Sequence, residues 1–501
     1  MTPNSSPKKP TASRAWIIAA IVLVLGFDLA FLWQRRSGAT ESELGGHPDE
    51  AAHYITGLAA ANYLAHDLGT SPEKSFAEFS KHYPIVRPVG QSPVFAFVEG
   101  AWTFAFGKSR SSMLMMMCFC AALVGLLIHL AVRNEFGEAA GAIAATLFLS
   151  LPLVREHTAT LLPAMLCTAF MFAAAIAFTR FLERKNWSDA LLFGTTALLA
   201  MLADRAGWAI LLFLPLAIPM PRKWRWLLPL VMLVAMEVWR TIVGSARGTL
   251  AFYATQLAAA LGVILLLITV PSLIRKIARP TERTPFWNCA AALLIGVLLF
   301  ATLAPGELDP ARLLPAIPAA ILFVVAGCAA IAKRLGRSTG FILLIAGVLT
   351  LVLSETVMVT WRAKKWSGFH SLAEIVLNSG DHPQARILVC SDPTGEGMFI
   401  SEIAMGEARP ARLIERADHL FANTKFTDDE DLANLVGARH FDYIVFDESN
   451  PDLDHSTQHD TLRRVLRENS DRFWEMSSSP VIRDGIAQDS PVRLYRVTGR
   501  D

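Results

Sequence analysis

Cysteine is scarce in this chain, and the six present are badly placed for a secreted disulfide framework. Cys118, Cys120, Cys167, Cys289 and Cys328 lie in apolar runs and Cys390 in a predicted strand, which excludes a small disulfide-stapled scaffold. Charge is also sparse: 18% of the 501 residues, with 46 Lys and Arg against 44 Asp and Glu. A net charge of +2 singles out no charged partner, and no nucleic-acid partner is expected. There is no strict internal repeat and no long low-complexity tract beyond a disordered Pro/Ser/Lys opening. The stretch Ser391 to Gly397 follows a predicted strand as a phosphate loop would, but it lacks both common glycine patterns for that task. It reads instead as a turn into a helix over Met398 to Ala404.

Long apolar runs are what the chain has in abundance. A composition 53% hydrophobic, with a mean hydropathy of +0.39, describes a polytopic membrane protein. Ala15 to Trp33 is long enough to span, follows Lys8, Lys9 and Arg14, and has no small-residue cleavage site before Gln34; it is expected as a retained anchor with a cytoplasmic amino terminus. Further runs are predicted near Ser112 to Val132, Ala139 to Val154, Leu161 to Phe181, Ala190 to Ala203, Trp208 to Met220 and Trp226 to Val243. Four more follow near Leu250 to Ile274, Phe286 to Leu303, Leu313 to Ala332 and Phe341 to Trp361, giving about eleven spans on the length criterion.

Alternating the connections gathers Arg133, Arg180, Arg184, Lys185, the 221–225 and 275–283 basic segments and Lys333 to Arg337 on the cytoplasmic side. Arg362, Lys364 and Lys365 break this pattern. Pro93 to Phe106 carries Glu99 and is too short to cross comfortably, so it is expected as an interfacial or re-entrant helix on the outer face.

After Trp361 the pattern changes: Arg386 to Cys390, Phe441 to Phe446 and Val492 to Val497 read as strands, with a helix near Asp428 to Arg439. The expected organisation is a cytoplasmic tail over 1–14, a transmembrane domain over 15–361 with a large first outer loop at 35–110, and a small extracytoplasmic α/β domain over 362–501.

Between Gly46 and Gly57 the chain reads GHPDEAAHYITG. Pro48 suits a first helical position, which would put Asp49, Glu50 and His53 in the first turns of a helix, with His53 three or four residues from each carboxylate. Acids at that point also complement the positive end of a helix, so the motif alone leaves a structural role open.

Five stretches then follow in order: PDEAAHYITG, SPVFAFVEGAWTFAFGKSRSSMLMM, RNEFGEAAGAIAATLFLSLPL, MLADRAGW and ARLLPAIPAAILF. In order and spacing, across about Ala15 to Ala332, they resemble the GT-C superfamily of polyprenyl-phosphate-sugar-dependent glycosyltransferases, near the protein O-mannosyltransferases and the bacterial aminoarabinose transferases. The first looks like the family's acidic outer-loop motif and the second like its proline-started interfacial helix. The resemblance implies a membrane glycosyltransferase that moves a sugar from a polyprenyl-phosphate donor to an extracytoplasmic protein, lipid or polysaccharide. It does not extend specifically to the tail domain. The Ala/Leu-rich composition and the lack of eukaryotic retention signals point to a bacterial inner membrane, with the tail domain in the periplasm.

Such a transfer needs an acceptor activated on one side and phosphate charge stabilised on the other. By resemblance Asp49 is the general base or acceptor-positioning carboxylate, and Glu50 takes that place if the helix faces the other way. Attack opposite the phosphate inverts the anomeric centre. Arg312 would bind the lipid phosphate or else serve as an interfacial anchor; Arg205 has the same two readings, with Asp204 as an alternative partner. His53, Arg87, Glu156 and His157 complete the candidate substrate contacts. Asp49, His53, Glu156 and His157 could also hold a divalent metal, Mg or Mn through oxygen ligands or Zn if histidines dominate. The competing expectations are a transporter, marked by paired broken helices, and a catalytically silent scaffold in an envelope polysaccharide pathway.

Overall fold

The computed structural model describes residues 12–86, 92–218, 250–279, 284–304, 308–357, 365–379, 384–423, 429–449 and 457–498. In chain order the helices are α1 (Ala12–Ser37), α2 (Glu50–His66), α3 (Pro72–His82), α4 (Pro93–Phe106), α5 (Arg110–Phe136), α6 (Glu138–Ser150) and α7 (Pro152–Thr158). They continue as α8 (Ala164–Arg184), α9 (Trp187–Ala203), α10 (Ile210–Ala217), α11 (Leu250–Leu261), α12 (Val263–Ala278), α13 (Pro285–Leu303), α14 (Ile317–Leu335) and α15 (Thr339–Val357). Beyond these lie α16 (His370–Asn378), α17 (Pro393–Gly406), α18 (Ala417–Asn423), α19 (Asp429–Ala438) and α20 (Thr457–Glu468).

Two compact units result: one from 1–33, 117–158 and 163–361, the other from 34–116, 159–162 and 362–501. Within the first unit and the helices leading into it, five described segments are long and apolar enough to cross a membrane. They are α1 from Trp16, α5, α8, α13 and Pro310–Leu335, which contains α14. The number rises to seven if each of two bent pairs counts as one span. The sequence expectation of about eleven also included the runs now seen as shorter apolar helices at Trp187–Ala203, Arg205–Ala217 and Thr339–Leu353. The expected span at Trp226 to Val243 lies outside the described residues.

One predicted span is corrected in shape. Leu250 to Ile274 is not one rod: α11 and α12 meet at 112°. Gly262 makes the corner at φ +74°, where a Cβ would lie 2.6 Å from Thr350 Cγ2, so only glycine suits it. A milder 66° bend joins α6 to α7 at Leu151 and Pro152, because proline cannot continue the α6 ladder.

The second unit combines helices with a sheet of order β2-β1-β3-β7-β4. Its strands are β1 (Arg386–Cys390), β2 (Leu413–Arg416), β3 (Tyr443–Asp447), β4 (Phe473–Ser479) and β7 (Val492–Val497). A separate hairpin pairs β5 (Ile482–Arg483) with β6 (Ile486–Ala487). β1 runs parallel to β2 and β3, while β7 is antiparallel to β3 and β4. β3 is buried along its whole length, which is why its sequence up to Phe446 is a continuous apolar run rather than an alternating one. Leu388, Ile444 and Phe446 pack with Leu462 and Val465 of α20.

The same unit holds α2 against α4. The two backbones approach closely at Gly100, where a Cβ would lie 2.8 Å from the Ala61 nitrogen. Pro93 opens α4 and Gly107, at φ +85°, closes it, so the expected bounds of that short apolar helix are met.

Candidate functional site

The acidic motif is held by its neighbours before it can do anything chemical. Glu43 carries a buried carboxylate that accepts the backbone N–H groups of Gly368 at 2.8 Å, Phe369 at 3.1 Å and His370 at 3.0 Å. Burial raises the Glu43 pKa while these donors pull it down. The Glu43 amide donates to the Trp366 carbonyl at 2.7 Å. At Gly45 a Cβ would come within 2.7 Å of Met398 Sδ and 2.9 Å of Trp366 Cγ. The loop is thereby clamped just upstream of the acids.

Helix α2 starts two residues later than Pro48 suggests. The Glu50 amide donates to the His47 carbonyl at 3.0 Å, so Pro48 and Asp49 lie in a turn and Asp49 becomes the N-cap. The neighbouring acids then separate in role. Glu50 is 0% exposed; its Oε2 accepts the Gly46 amide at 3.0 Å and its Oε1 the Leu161 amide at 3.1 Å, with Arg110 Nη2 at 3.5 Å. Both of its oxygens are committed to shaping the loop. Asp49 is half-buried, and its side chain makes no capping hydrogen bond to the helix. His53 is buried one turn on, edge-to-face with Phe95 of α4 at 5.5 Å.

Other candidates fall in the first unit. Arg155 lies over the Trp33 ring at 3.9 Å; Glu156 is exposed beside it in α7, and His157 is buried. Asp204 and Asp309 cap two short 3₁₀ turns, Arg205–Ala209 and Pro310–Ala316, through bonds of 2.6 Å to the Ala206 amide and 2.8 Å to the Ala311 amide. Burial raises the Asp204 pKa to about 6; the Ala206 amide lowers it, Asp309 raises it, and Arg312 and Arg205 lower it. The two arginines thus share one electrostatic neighbourhood with these acids. Arg312 also donates to the Ala304 carbonyl at 3.0 Å. Arg87 lies outside the described residues.

Among the described residues, no group of three or more His, Cys, Asp or Glu side chains is placed to hold a metal ion, the set Asp49, His53, Glu156 and His157 included. Residues that sequence reasoning passed over are Glu43 and Arg110, whose partners are distant in the chain. Arg110 donates from Nε to the Ala39 carbonyl at 3.0 Å while facing Glu50. In the sheet, the turn after β1 is filled by the protein's own side chains. Asp392 caps α17 through the Gly395 amide and also binds Arg483, as expected of a turn into a helix, though the helix starts at Pro393 rather than Met398.

Residues 88–238 match the family described as dolichyl-phosphate-mannose-protein mannosyltransferase. No protein of curated function matches in sequence. Solved structures do match in shape. The ArnT of Cupriavidus metallidurans, bound to undecaprenyl phosphate, aligns over 97% of this chain and 98% of its own at 13% identity and a TM-score of 0.55. The Archaeoglobus fulgidus oligosaccharyltransferase in its apo form aligns over 85% and 69% at 12% identity and a TM-score of 0.54. That protein has also been solved with zinc and sulfate, and the oligosaccharyltransferase AglB from the same organism with an inhibitory peptide and a dolichol-phosphate. The resemblance read from the five sequence stretches is thus met by the family match over 88–238 and by a fold shared with these solved structures.

Proposed function

We propose that the protein is a membrane glycosyltransferase that moves a sugar from a polyprenyl-phosphate donor to an acceptor outside the cytoplasm, with inversion at the anomeric carbon. The observation that carries this reading is the placement of two adjacent acids: both oxygens of Glu50 accept loop amides and so hold the motif in shape, and this sets Asp49 half-buried at the N-cap of α2. The lipid phosphates bound by ArnT and AglB support the donor class.

In the reaction the acceptor hydroxyl gives its proton to the Asp49 carboxylate as its oxygen bonds to the anomeric carbon. The bond from that carbon to the phosphate oxygen breaks, and the electron pair leaves on the lipid phosphate. Arg312, with Arg205 beside it, stabilises that charge by charge-assisted hydrogen bonds. His53 fixes the first turn of α2 through Phe95. Glu156 and His157 of α7 are assigned to the lipid phosphate or the sugar. The setting is a bacterial inner membrane, with the amino terminus in the cytoplasm and the strands of the second unit in the periplasm. A transporter would also have broken helices, and two pairs bend here. The charged groups Asp204, Asp309 and Arg312, however, sit at helix ends rather than mid-helix, which suits a surface-facing site.

The test compares wild type with Asp49→Asn in membrane vesicles, following labelled sugar from a mixture of polyprenyl-phosphate sugars onto cell-envelope acceptors. The variant is expected to lose about 10²- to 10⁴-fold in transfer, the range for a general base. Equal transfer by both proteins would remove Asp49 from the mechanism.

A further inference from the structure

The β5–β6 hairpin ties the end of the sheet, by two routes, to the turn that carries Asp49. Its strands are joined by Asp484 and Gly485, both at positive φ (+53° and +77°), which suits a tight two-residue turn. Arg483 is placed by this turn and points inward, with 12% of its side chain exposed. Its guanidinium donates to Asp447 at 2.6 Å, to the two oxygens of Asp392 at 2.9 and 3.1 Å, and from Nε to the Ser449 hydroxyl at 3.3 Å. A planar fork can span two carboxylates in this way; a point-charge ammonium cannot. The first route from this node runs along the backbone. Ile482 and Ser367 exchange amide-to-carbonyl bonds of 2.8 and 3.1 Å, and the Gly485 amide donates to the Lys365 carbonyl at 2.9 Å, so residues 365–368 lie as a strap along the hairpin. Gly368, at φ +141°, sits so close that a Cβ would lie 3.0 Å from the Pro480 carbonyl oxygen. Trp366 on the strap faces Arg483 at 5.8 Å and bears on Gly45, while Glu43 accepts the amides of Gly368, Phe369 and His370. The second route runs through α17. Asp392 accepts the Gly395 amide at 3.0 Å as its cap. Met398 then meets Gly45, and Gly397 meets α2, where a Cβ would lie 2.7 Å from the Ala51 Cβ.

Asp49 lies in the chain between those two contacts, Gly45 and Ala51, and every residue named here belongs to the second unit. We infer that Arg483 is a positioning residue for Asp49. By fixing the strap and the start of α17 it holds both flanks of the acidic turn, and so sets where the Asp49 carboxylate meets the acceptor hydroxyl. Arg483 acts through that turn and takes no part in making or breaking bonds. The inference rests on the assignment of Asp49 as the base. Placement of this kind governs the rate of the chemical step rather than donor affinity, because a misplacement of about 1 Å caused far from the chemistry costs roughly 10²-fold.

The test is a double-mutant cycle in single-turnover transfer by the full-length protein in detergent, with enzyme in excess over labelled polyprenyl-phosphate sugars and cell-envelope acceptors present. Arg483→Lys keeps a cation between the two acids but loses the fork. It is expected to lower the transfer rate constant about 10- to 100-fold and to leave donor binding unchanged. In an Asp49→Ala background the same substitution is expected to cost less than about twofold, since an absent carboxylate cannot be misplaced. Glu43→Gln loosens the strap at its far end and is expected to give the same pattern, so the outcome does not hang on one variant folding. Near-ultraviolet circular dichroism checks native packing in each. An equal fold-loss in both backgrounds would make Arg483 a purely structural residue and overturn the proposal. Full transfer rates in natively packed Arg483→Lys and Glu43→Gln would overturn it too. If Asp49→Ala alone transfers like wild type, it is the base assignment that fails, and this inference falls with it.

Discussion

Two regions of the second unit bury acids completely and treat them in opposite ways. Where β1 and β3 end, Asp447 is 0% exposed yet fully matched: Oδ2 accepts the Ser391 hydroxyl at 2.5 Å and Arg483 Nη2 at 2.6 Å, and Oδ1 accepts the Ser449 amide and hydroxyl at 2.9 and 2.6 Å. Arg483 also binds both oxygens of Asp392, at 2.9 and 3.1 Å. Between α2 and α4, Glu99 is equally buried, but neither of its oxygens reaches a hydrogen-bond partner among the described residues. It rests against Gly57, where a Cβ would lie 2.6 Å from its own Cβ, and burial pushes its pKa well above the carboxylate range. The first arrangement holds charge by supplying donors; the second must expel charge by holding a proton. Burial alone therefore says nothing about whether an acid stabilises its surroundings; the count of donors does.

The largest effect expected from this contrast is at Arg483. Arg483→Ala would leave Asp392 and Asp447 as uncompensated neighbours, and breaking a buried pair in this way costs about 3–5 kcal/mol. Denaturant unfolding followed by a probe in the sheet measures it; a loss below 1 kcal/mol would mean that water replaces the guanidinium. Glu50 comes next, because it belongs to the matched class while lying in the α2 region. Glu50→Ala strands the amides of Gly46 and Leu161, at a cost of about 2–3 kcal/mol. Hydrogen exchange at those amides should accelerate before exchange in the sheet does. Unchanged protection would show that the loop does not depend on this carboxylate.

The contrast also marks what could be read from the sequence. The strand Arg386–Cys390 was legible as a short apolar run and Val492–Val497 as a short strand of alternating apolar and basic residues, and α4 was bracketed by Pro93 and Gly107. Residue types at the candidate site were equally visible. Their division of labour was not, because what separates Glu50 from Asp49 is the Leu161 amide, 111 positions away. Glu43 is a plain loop acid until its partners 325 to 327 positions later are known. The corner at Gly262 is invisible for another reason: a glycine in an apolar run looks the same whether the helix continues or turns, and only Thr350 decides it.

A smaller effect, in pH dependence, is expected at Asp204. Its folded pKa of about 6 lies above the ordinary 3.8, so the folded state holds the extra proton between those values. Stability is then fully present below about pH 4 and falls as pH rises through about 6. Asp204→Asn keeps an oxygen for the Ala206 amide and removes the titration. Thermal unfolding in detergent between pH 4 and 8 should lose this slope in the variant; an identical slope would assign it elsewhere.

The smallest effect has the opposite sign and sharpens the contrast most. At Glu99 a side chain of similar length without a charge should help rather than harm, because the carboxyl has no donor to lose. Glu99→Met is expected to stabilise the protein by about 1 kcal/mol at pH 7, near the lower end of the cost of burying an unmatched polar group. In wild type the raised pKa makes stability fall as pH climbs above about 4.5, since the unfolded chain releases its proton first. The gain from the methionine should therefore shrink as pH drops to 4, down to the part that the unmatched protonated carboxyl costs at any pH. If Glu99→Met instead destabilises at every pH, the carboxyl has donors after all. The α2–α4 contact would then belong with the sheet network as a matched site.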